Sequence, residues 1–367
     1  DLGGLNVTIP YKRDVMAYCD VLDPMAEAIG SVNTLVRRAD GKLYGYNTDA
    51  AGFCFMAQRA GIGFAGKKTL VLGSGGASRT AAACARKLGA REVVVISRSG
   101  ENNYTNLDRH ADAERIVNTT PVGMYPGNGA AAVDLTAFPA CAGVLDLIYN
   151  PRRTALLLQA EALGIPCSDG LPMLVAQAKA AEEHFFDKPI ADSENERILA
   201  QLRREMTNLV LIGMPGSGKS AVGAALAALT GREAIDIDAR IAEKAGCSIP
   251  EIFAKGGEAA FRELEREATA ACGALSGKLL LTGGGVVKTP ENYAALHQNG
   301  RIYQLLRPLE LLPTDGRPLS QGADLAAMWA ERAPLYERFR DAAADNSGTV
   351  GQTAQAIWRD FCENSGH

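Results

Sequence analysis

At 367 residues, 47% hydrophobic and 22% charged, the chain has the composition of an ordinary globular protein and is long enough for two or more cores. A net charge of −4 excludes a polyanion-binding surface spread over the whole chain, so the basic residues read as local anion contacts and no nucleic-acid partner is expected. Eight cysteines without a C-x-x-C pair and four dispersed histidines exclude zinc-type spacing and fit free thiols in a reducing, cytoplasmic setting, and no apolar run reaches the length of a membrane span.

The chain opens on Asp1 and runs at once into a strand-like Leu5-Asn6-Val7-Thr8-Ile9, the start expected of a fragment. Further on, Val71-Leu72 leads into Gly73-Ser74-Gly75-Gly76-Ala77-Ser78 and an Ala-rich helix over Thr80–Leu88. Short buried strands follow at Val93–Ile96, Ile116-Val117 and Val144–Ile148, with a helix over Thr154–Leu163. Such alternation predicts a parallel sheet covered on both faces. The glycine turn between strand and helix suits a dinucleotide, because absent side chains admit a pyrophosphate to the backbone and the helix N-terminus favours its charge. At the end of the next strand stands Ser97-Arg98-Ser99 where an acid would hold a ribose 2′-hydroxyl. Arginine flanked by hydroxyls suits a 2′-phosphate, hence NADP; the alternative is a solvated arginine at a strand end. From Arg98 to Ile116 the polar Gly100–Tyr104 leaves room only for a short helix, which points to a reshaped adenine side.

The junction lies near 187–207, where Ser193 and Glu196 fit a capping box and Ile198, Leu199, Leu202 and Met206 mark one helix face. A second strand–helix series follows: strand 208–212, helix 219–229, and strands near 234–237, 279–282 and 301–305. Between its first two elements, Gly213-Met214-Pro215-Gly216-Ser217-Gly218-Lys219-Ser220 fits G-x-x-x-x-G-K-S. Its amides cradle the phosphates of a nucleoside triphosphate such as ATP, Lys219 reaches the transferred phosphoryl group, and Ser220 is a Mg2+ ligand.

Several further segments occur in order: Asn6-Val7-Thr8-Ile9-Pro10-Tyr11-Lys12, Ile29–Leu35, Gly45-Tyr46-Asn47-Thr48-Asp49, the first glycine loop, Val117–Met124 and Asp169–Gln177. With these the chain resembles shikimate dehydrogenase over residues 1 to about 206. The resemblance implies reduction of 3-dehydroshikimate with NADPH, with Lys12 and Asp49 as the catalytic pair. It implies Thr8, Asn33, Tyr149 and Gln177 at the substrate, and Asn118, Thr119, Leu147 and Gly170 at the cofactor beside the loop Gly73, Ser74, Gly75, Gly76, Ala77. The alternative for the Asn and Thr residues is turn capping. The family's opening strand–helix units, with the serine-rich loop that holds the substrate carboxylate, do not precede Asp1, so the substrate domain is expected to be N-terminally incomplete.

Downstream of the second loop come Asp236-Ile237-Asp238, Ile252–Arg262, Gly283-Gly284-Gly285, Gly316-Arg317-Pro318-Leu319 and Arg332–Tyr336. These make residues 207–367 similar to shikimate kinase. That likeness implies Asp238 as the base holding the acceptor hydroxyl and Asp236 in the magnesium shell. Arg262 and Arg332 would hold the shikimate carboxylate, Gly284 would let the backbone approach the ring, and Arg317 would sit on a hinged lid over 312–321. Helix capping is the alternative for the two aspartates and solvated charge for Arg317 and Arg332. The expected architecture is α/β throughout: an incomplete α/β substrate domain (1–50 and 170–206), a Rossmann-type NADP domain (51–169), and a P-loop nucleoside monophosphate kinase-like domain (207–367). The expected function is two consecutive steps on one metabolite. The rivals are a chain in which only the kinase works, a non-catalytic sensor built from such domains, and a quinate-preferring or NAD-using dehydrogenase. Oligomeric state is not legible in the sequence.

Overall fold

In the computed structural model, which describes residues 3–312 and 325–364, the chain divides into two units, Asp1–Leu199 and Ala200–His367. The first unit opens with β1 (Gly4–Asn6), β2 (Val21–Leu22), α1 (Pro24–Ile29), β3 (Thr34–Arg37) and β4 (Leu43–Tyr46). Their sheet has the order β1-β3-β4-β2, with β3 antiparallel to both β1 and β4. The parallel alternation expected of the first half therefore does not extend to its opening. The strand expected over Leu5–Ile9 also ends early: Val7 still donates to Asn33 O at 2.8 Å, but the chain then turns, with Thr8 O accepting from Tyr11 N at 3.0 Å. Helix α2 (Asp49–Arg59) leads out of this sheet.

The parallel sheet then forms from β5 (Lys68–Leu72), α3 (Gly76–Lys87), β6 (Glu92–Ile96), β7 (Arg115–Asn118), β8 (Val144–Asp146), α4 (Ala155–Ala162) and β9 (Cys167–Ser168), in the strand order β6-β5-β7-β8-β9. Successive residues of a strand face opposite sides. Val71, Val117 and Leu145 pack with Phe53, Met56 and Ala81, whereas Leu70, Leu72, Ile116 and Val144 pack with Phe138 and Leu156. Both faces are covered, which is why the strands read as continuous apolar runs. In place of a helix between Arg98 and Ile116 there is one 3-10 turn, Leu107–His110. Helix α5 (Leu171–Phe186) returns against α2, so closely that a Cβ on Gly52 would lie 2.4 Å from Met173 O. Helix α6 (Ser193–Met206) starts at Ser193 itself, and Glu196, expected to close a capping box, instead accepts from Arg59 Nε at 3.0 and 3.1 Å.

The second unit comprises β10 (Asn208–Ile212), α7 (Lys219–Thr230), β11 (Ala234–Asp236), α8 (Ile237–Ala245), α9 (Ile249–Gly273), β12 (Leu279–Leu281), α10 (Glu291–His297), β13 (Gly300–Leu306), α11 (Leu325–Phe339), β14 (Ala342–Asp345) and α12 (Val350–Asn364). The strands are all parallel in the order β11-β12-β10-β13-β14, with β10 central. Val210 and Ile212 belong to one core, with Ile241, Phe261 and Tyr336. Leu209 and Leu211 belong to the other, with Val222, Leu226 and Phe361. Helix α9 bends at Gly257, whose φ of +68° breaks the helical path. Among the described residues no helix is long and apolar enough to cross a membrane.

Candidate functional sites

In the first unit a small polar cluster forms where β3, β4 and α2 meet. Lys12 Nζ lies 2.7 Å from Asp49 Oδ2, and Lys12 is fixed through its own carbonyl, which accepts from Val32 N at 2.8 Å. Asn33 Nδ2 donates to the other carboxylate oxygen of Asp49 at 2.9 Å, and Asn33 Oδ1 accepts from Thr48 N at 2.8 Å. Asp49 is the first residue of α2, where the helix end favours negative charge. The ion pair is therefore braced on both sides and only partly solvated, with side-chain exposures of 26% for Lys12 and 15% for Asp49. Gln177, on α5, packs over the first turn of α2: its Cβ is 3.2 Å from where a Cβ of Gly52 would stand. Thr8 and Tyr149 are exposed, and among the described residues neither makes a hydrogen bond to this cluster.

Beyond β5 the chain turns through Gly73, and α3 begins at Gly76 with Gly75 as its cap. No side chain caps this end, so the first amides of the helix are open to an anion. A Cβ on Gly75 or Gly76 would meet nothing within 4 Å, whereas one on Gly73 would press Thr119 Oγ1 at 2.8 Å. Ser74, Gly75, Gly76 and Ala77 are exposed, a room and donor set that fit a pyrophosphate. Arg98 is exposed in a turn that Ser97 N closes on Asn102 O at 3.1 Å, with Ser97 and Ser99 on either side. Asn118 and Thr119 use their side chains inside the protein: Asn118 Nδ2 donates to Asp146 Oδ1 at 3.0 Å, and Thr119 Oγ1 donates to Leu72 O at 2.6 Å. They shape the loop after β7. Leu147 and Gly170 touch through backbone, since a Cβ on Gly170 would lie 2.1 Å from Leu147 O.

In the second unit the loop after β10 borders a cavity of about 790 Å3. Lys219 Nζ donates to Gly213 O at 2.8 Å and to Met214 O at 3.1 Å, and Asn346 Nδ2 braces the loop through Ser217 O at 2.7 Å. Gly218, with φ +97°, caps α7, and Gly216, Gly218, Lys219 and Ser220 line the cavity. The three consecutive glycines after β12 each make room for a functional neighbour. A Cβ on Gly283 would lie 2.7 Å from Asp238 Oδ1, on Gly284 2.6 Å from Pro215 Cδ, and on Gly285 2.5 Å from Arg262 Nη2. Gly284 O in turn accepts from Arg332 Nη1 at 3.1 Å and from the Tyr336 hydroxyl at 2.5 Å. Arg262 is held by Glu265 Oε2 at 2.7 Å and Glu258 Oε1 at 3.0 Å.

The two aspartates differ. Asp236 Oδ1 accepts from Ala239 N at 3.2 Å and caps α8, yet the residue is exposed and lines the cavity, as does Ser220. One hydroxyl and one carboxylate facing a phosphate loop fit Mg2+, which takes few protein ligands and completes its shell with phosphate and water. Asp238 Oδ1 is buried without a hydrogen-bond partner. Burial pushes the Asp238 carboxyl above the usual carboxylate range and the Asp236 charge adds to this, while Lys219 and Arg262 pull it back. Arg317 and most of the expected lid lie outside the described residues.

Three participants escaped sequence reading. Glu265 is buried, its pKa raised by burial and lowered by Arg262; its spacing of three from Arg262 on a helix was the available signal. Asp146 is fully buried, accepts from Asn118, Ile148 N and Thr154 Oγ1, and is pushed up to about 6 chiefly by burial. A lone acid inside Val144–Ile148 was its signal. Asn346 had none.

Comparison with known proteins gives the following likenesses. A sequence model of shikimate kinase matches residues 215–361, and one of the shikimate dehydrogenase substrate-binding domain matches residues 1–35. The chain is 38% identical over 213 residues to the NADP(+) shikimate dehydrogenase of Clostridium perfringens strain SM101, spanning 54% of this chain and 78% of that protein. It is 41% identical over 203 residues to that of Geobacter sp. strain M21, spanning 48% and 69%. Among solved structures, a chorismate mutase/shikimate 5-dehydrogenase fusion from Clostridium acetobutylicum superposes with a TM-score of 0.52 at 37% identity, covering 55% of this chain and 76% of that one. A quinate dehydrogenase from Corynebacterium glutamicum in complex with NAD gives 0.50 at 28% identity, covering 54% and 78%.

Proposed function

The chain belongs to the shikimate dehydrogenase family and carries a shikimate kinase domain behind that part, and from this premise we propose that it catalyses two consecutive steps: NADPH-dependent reduction of 3-dehydroshikimate to shikimate, and MgATP-dependent phosphorylation of shikimate on its 3-hydroxyl. The observation that supports the first step is the braced Lys12–Asp49 pair, and for the second it is Asp238 and the phosphate loop lining one cavity.

NADPH, when bound, supplies the hydride. Lys12 donates a proton to the developing alkoxide of the substrate, where it stays on the product hydroxyl, and takes its replacement from solvent, while Asp49 keeps the ammonium in place. Asn33 fixes Asp49, and with Thr8, Tyr149 and Gln177 binds substrate oxygens. Gly73–Ala77 and the start of α3 hold the pyrophosphate, Arg98 between Ser97 and Ser99 holds the 2′-phosphate, and the backbone around Asn118, Thr119, Leu147 and Gly170 borders the nicotinamide side.

In the second unit, Ser220 and Asp236 would hold Mg2+, which would screen the charge of the phosphoryl group that ATP supplies when bound. Asp238 accepts the proton of the attacking hydroxyl, and its raised affinity for protons suits that task. Gly216, Ser217, Gly218 and Lys219 hold the phosphates. Arg262 and Arg332 present guanidinium groups to the shikimate carboxylate, Gly284 carries the backbone against its ring, and Arg317 neutralises charge from the lid. The residues group as 1–50 with 170–206 for substrate, 51–169 for NADP and 207–367 for phosphoryl transfer, in a cytoplasmic enzyme.

Two assays on the full chain test this: NADP reduction by shikimate, followed by NADPH absorbance, and shikimate-dependent consumption of ATP. Turnover in both is expected. Phosphorylation without hydride transfer would leave the first unit a nucleotide-binding body, and shikimate binding without turnover in either assay would make the chain a sensor.

A further inference from the structure

Among the described residues, four cations line the cavity of the second unit: Lys219, Arg262, Arg307 and Arg332. Three of them are engaged. Lys219 donates to loop carbonyls, Arg262 to Glu265 and Glu258, and Arg332 to Gly284 O. Arg307 is different: no hydrogen bond or ion pair holds it among the described residues, and its Nε, like that of Arg332, is buried with no acceptor. Removing a guanidinium N–H from water without giving it a partner is costly, and an acceptor that arrives with a ligand recovers the cost.

The position of Arg307 says which ligand. It follows β13 directly, and β13 neighbours β10 on the side opposite β12 and β11. A Cβ on Gly218 would stand 3.9 Å from Arg307 Nη1 and 2.4 Å from Asn346 Nδ2, so the guanidinium borders the amide cradle itself. Asp238 and Gly283, which follow β11 and β12, and Arg262, on α9 between those strands, line the cavity from the other flank. The phosphoryl group in transfer faces Asp238. The charge that lies towards β13 belongs to the portion of the nucleotide that stays behind.

Resting on the phosphotransfer reading above, we propose that Arg307 is a nucleotide-binding residue that grips the α- and β-phosphates of the bound nucleoside di- or triphosphate, on the flank of the loop away from the acceptor. The group would act equally on substrate and product nucleotide, so it serves binding rather than the chemical step.

The test is calorimetric titration of the full chain with MgATP, MgADP and AMP, on wild type, Arg307→Gln, Arg307→Lys and Lys219→Ala, together with steady-state phosphorylation. Loss of a charge-assisted contact should weaken MgATP and MgADP alike by about tenfold or more in Arg307→Gln. AMP, which lacks the β-phosphate, should lose less, Arg307→Lys should fall in between, and kcat at saturating nucleotide and the KM for shikimate should hold. An unchanged thermal midpoint and unchanged NADP reduction certify the fold of each variant. If Lys219→Ala loses nucleotide while Arg307→Gln does not, the assignment of Arg307 is overturned and the phosphotransfer reading stands. Selective loss of MgATP with a fall in kcat would also overturn it, by moving the contact to the transferred group. A wild type that binds neither nucleotide would remove the phosphotransfer reading and Arg307 with it.

Discussion

Asp236 and Asp238 share a short acidic sequence and live in opposite surroundings. Asp236 is exposed and caps α8, while Asp238 faces inward with one oxygen left without a partner. Burial and the neighbouring charge of Asp236 raise the affinity of Asp238 for its proton, and Lys219 and Arg262 oppose them without cancelling them. As the proposed base it must be ionised, so phosphoryl transfer should fall as pH drops through a value above the ordinary carboxylate range. We expect kcat/KM for shikimate to show that acid limb. Asp238→Asn should lower kcat/KM on the order of a hundredfold or more and erase the limb from the residual rate. A limb that persists unchanged in this variant would assign it to another group.

At the scale of elements, two packed helices set the position of Asp49, the acid of the pair proposed for hydride transfer. Helix α2 presents Asp49, and α5 lies against it at Gly52, where Met173 O leaves no space for a side chain. Gly52→Ala must push the helices apart, at about 1–3 kcal/mol for overpacking, and the push falls three residues from Asp49. Hydride transfer and the urea midpoint of the first unit should both decline, with ATP-dependent phosphorylation unchanged; full dehydrogenase activity at wild-type stability would contradict the close packing.

These elements also show what a sequence can and cannot display. The two glycine loops were legible because backbone approach to phosphate demands glycine at set spacings. The sheet of residues 68–168 was legible because strands buried on both faces are apolar throughout. The mixed opening sheet was not, since strands of two to four residues are too short to show a period. Helix α9 was known only as a motif, because Gly256-Gly257 interrupts the pattern of what is one bent helix carrying Glu258, Arg262 and Glu265 along its second part. Asp146 was hidden for the opposite reason: one acid does not spoil an apolar strand, and only the fold reveals the three donors that meet it.

At the scale of the whole molecule, each unit has its own sheets and cores. Phe53, Val71 and Ile116 belong to cores of the first, Val210, Leu211 and Tyr336 to cores of the second. Every side chain given a role in hydride transfer comes from the first unit, and every one given a role in phosphoryl transfer from the second. Chemistry at one site should therefore be separable from chemistry at the other. Lys12→Ala should abolish reduction of 3-dehydroshikimate and leave shikimate phosphorylation intact, and Lys219→Ala should do the reverse. Neither variant alone can carry 3-dehydroshikimate to shikimate 3-phosphate. Mixed in equal amounts and supplied with NADPH and MgATP, they should complete both steps, with a lag while free shikimate accumulates. Such a lag follows from diffusion between sites on different chains. A wild-type chain that completes both steps with no lag, where the mixture shows one, would mean that shikimate is handed on without release, a property that two units with separate cores do not by themselves confer.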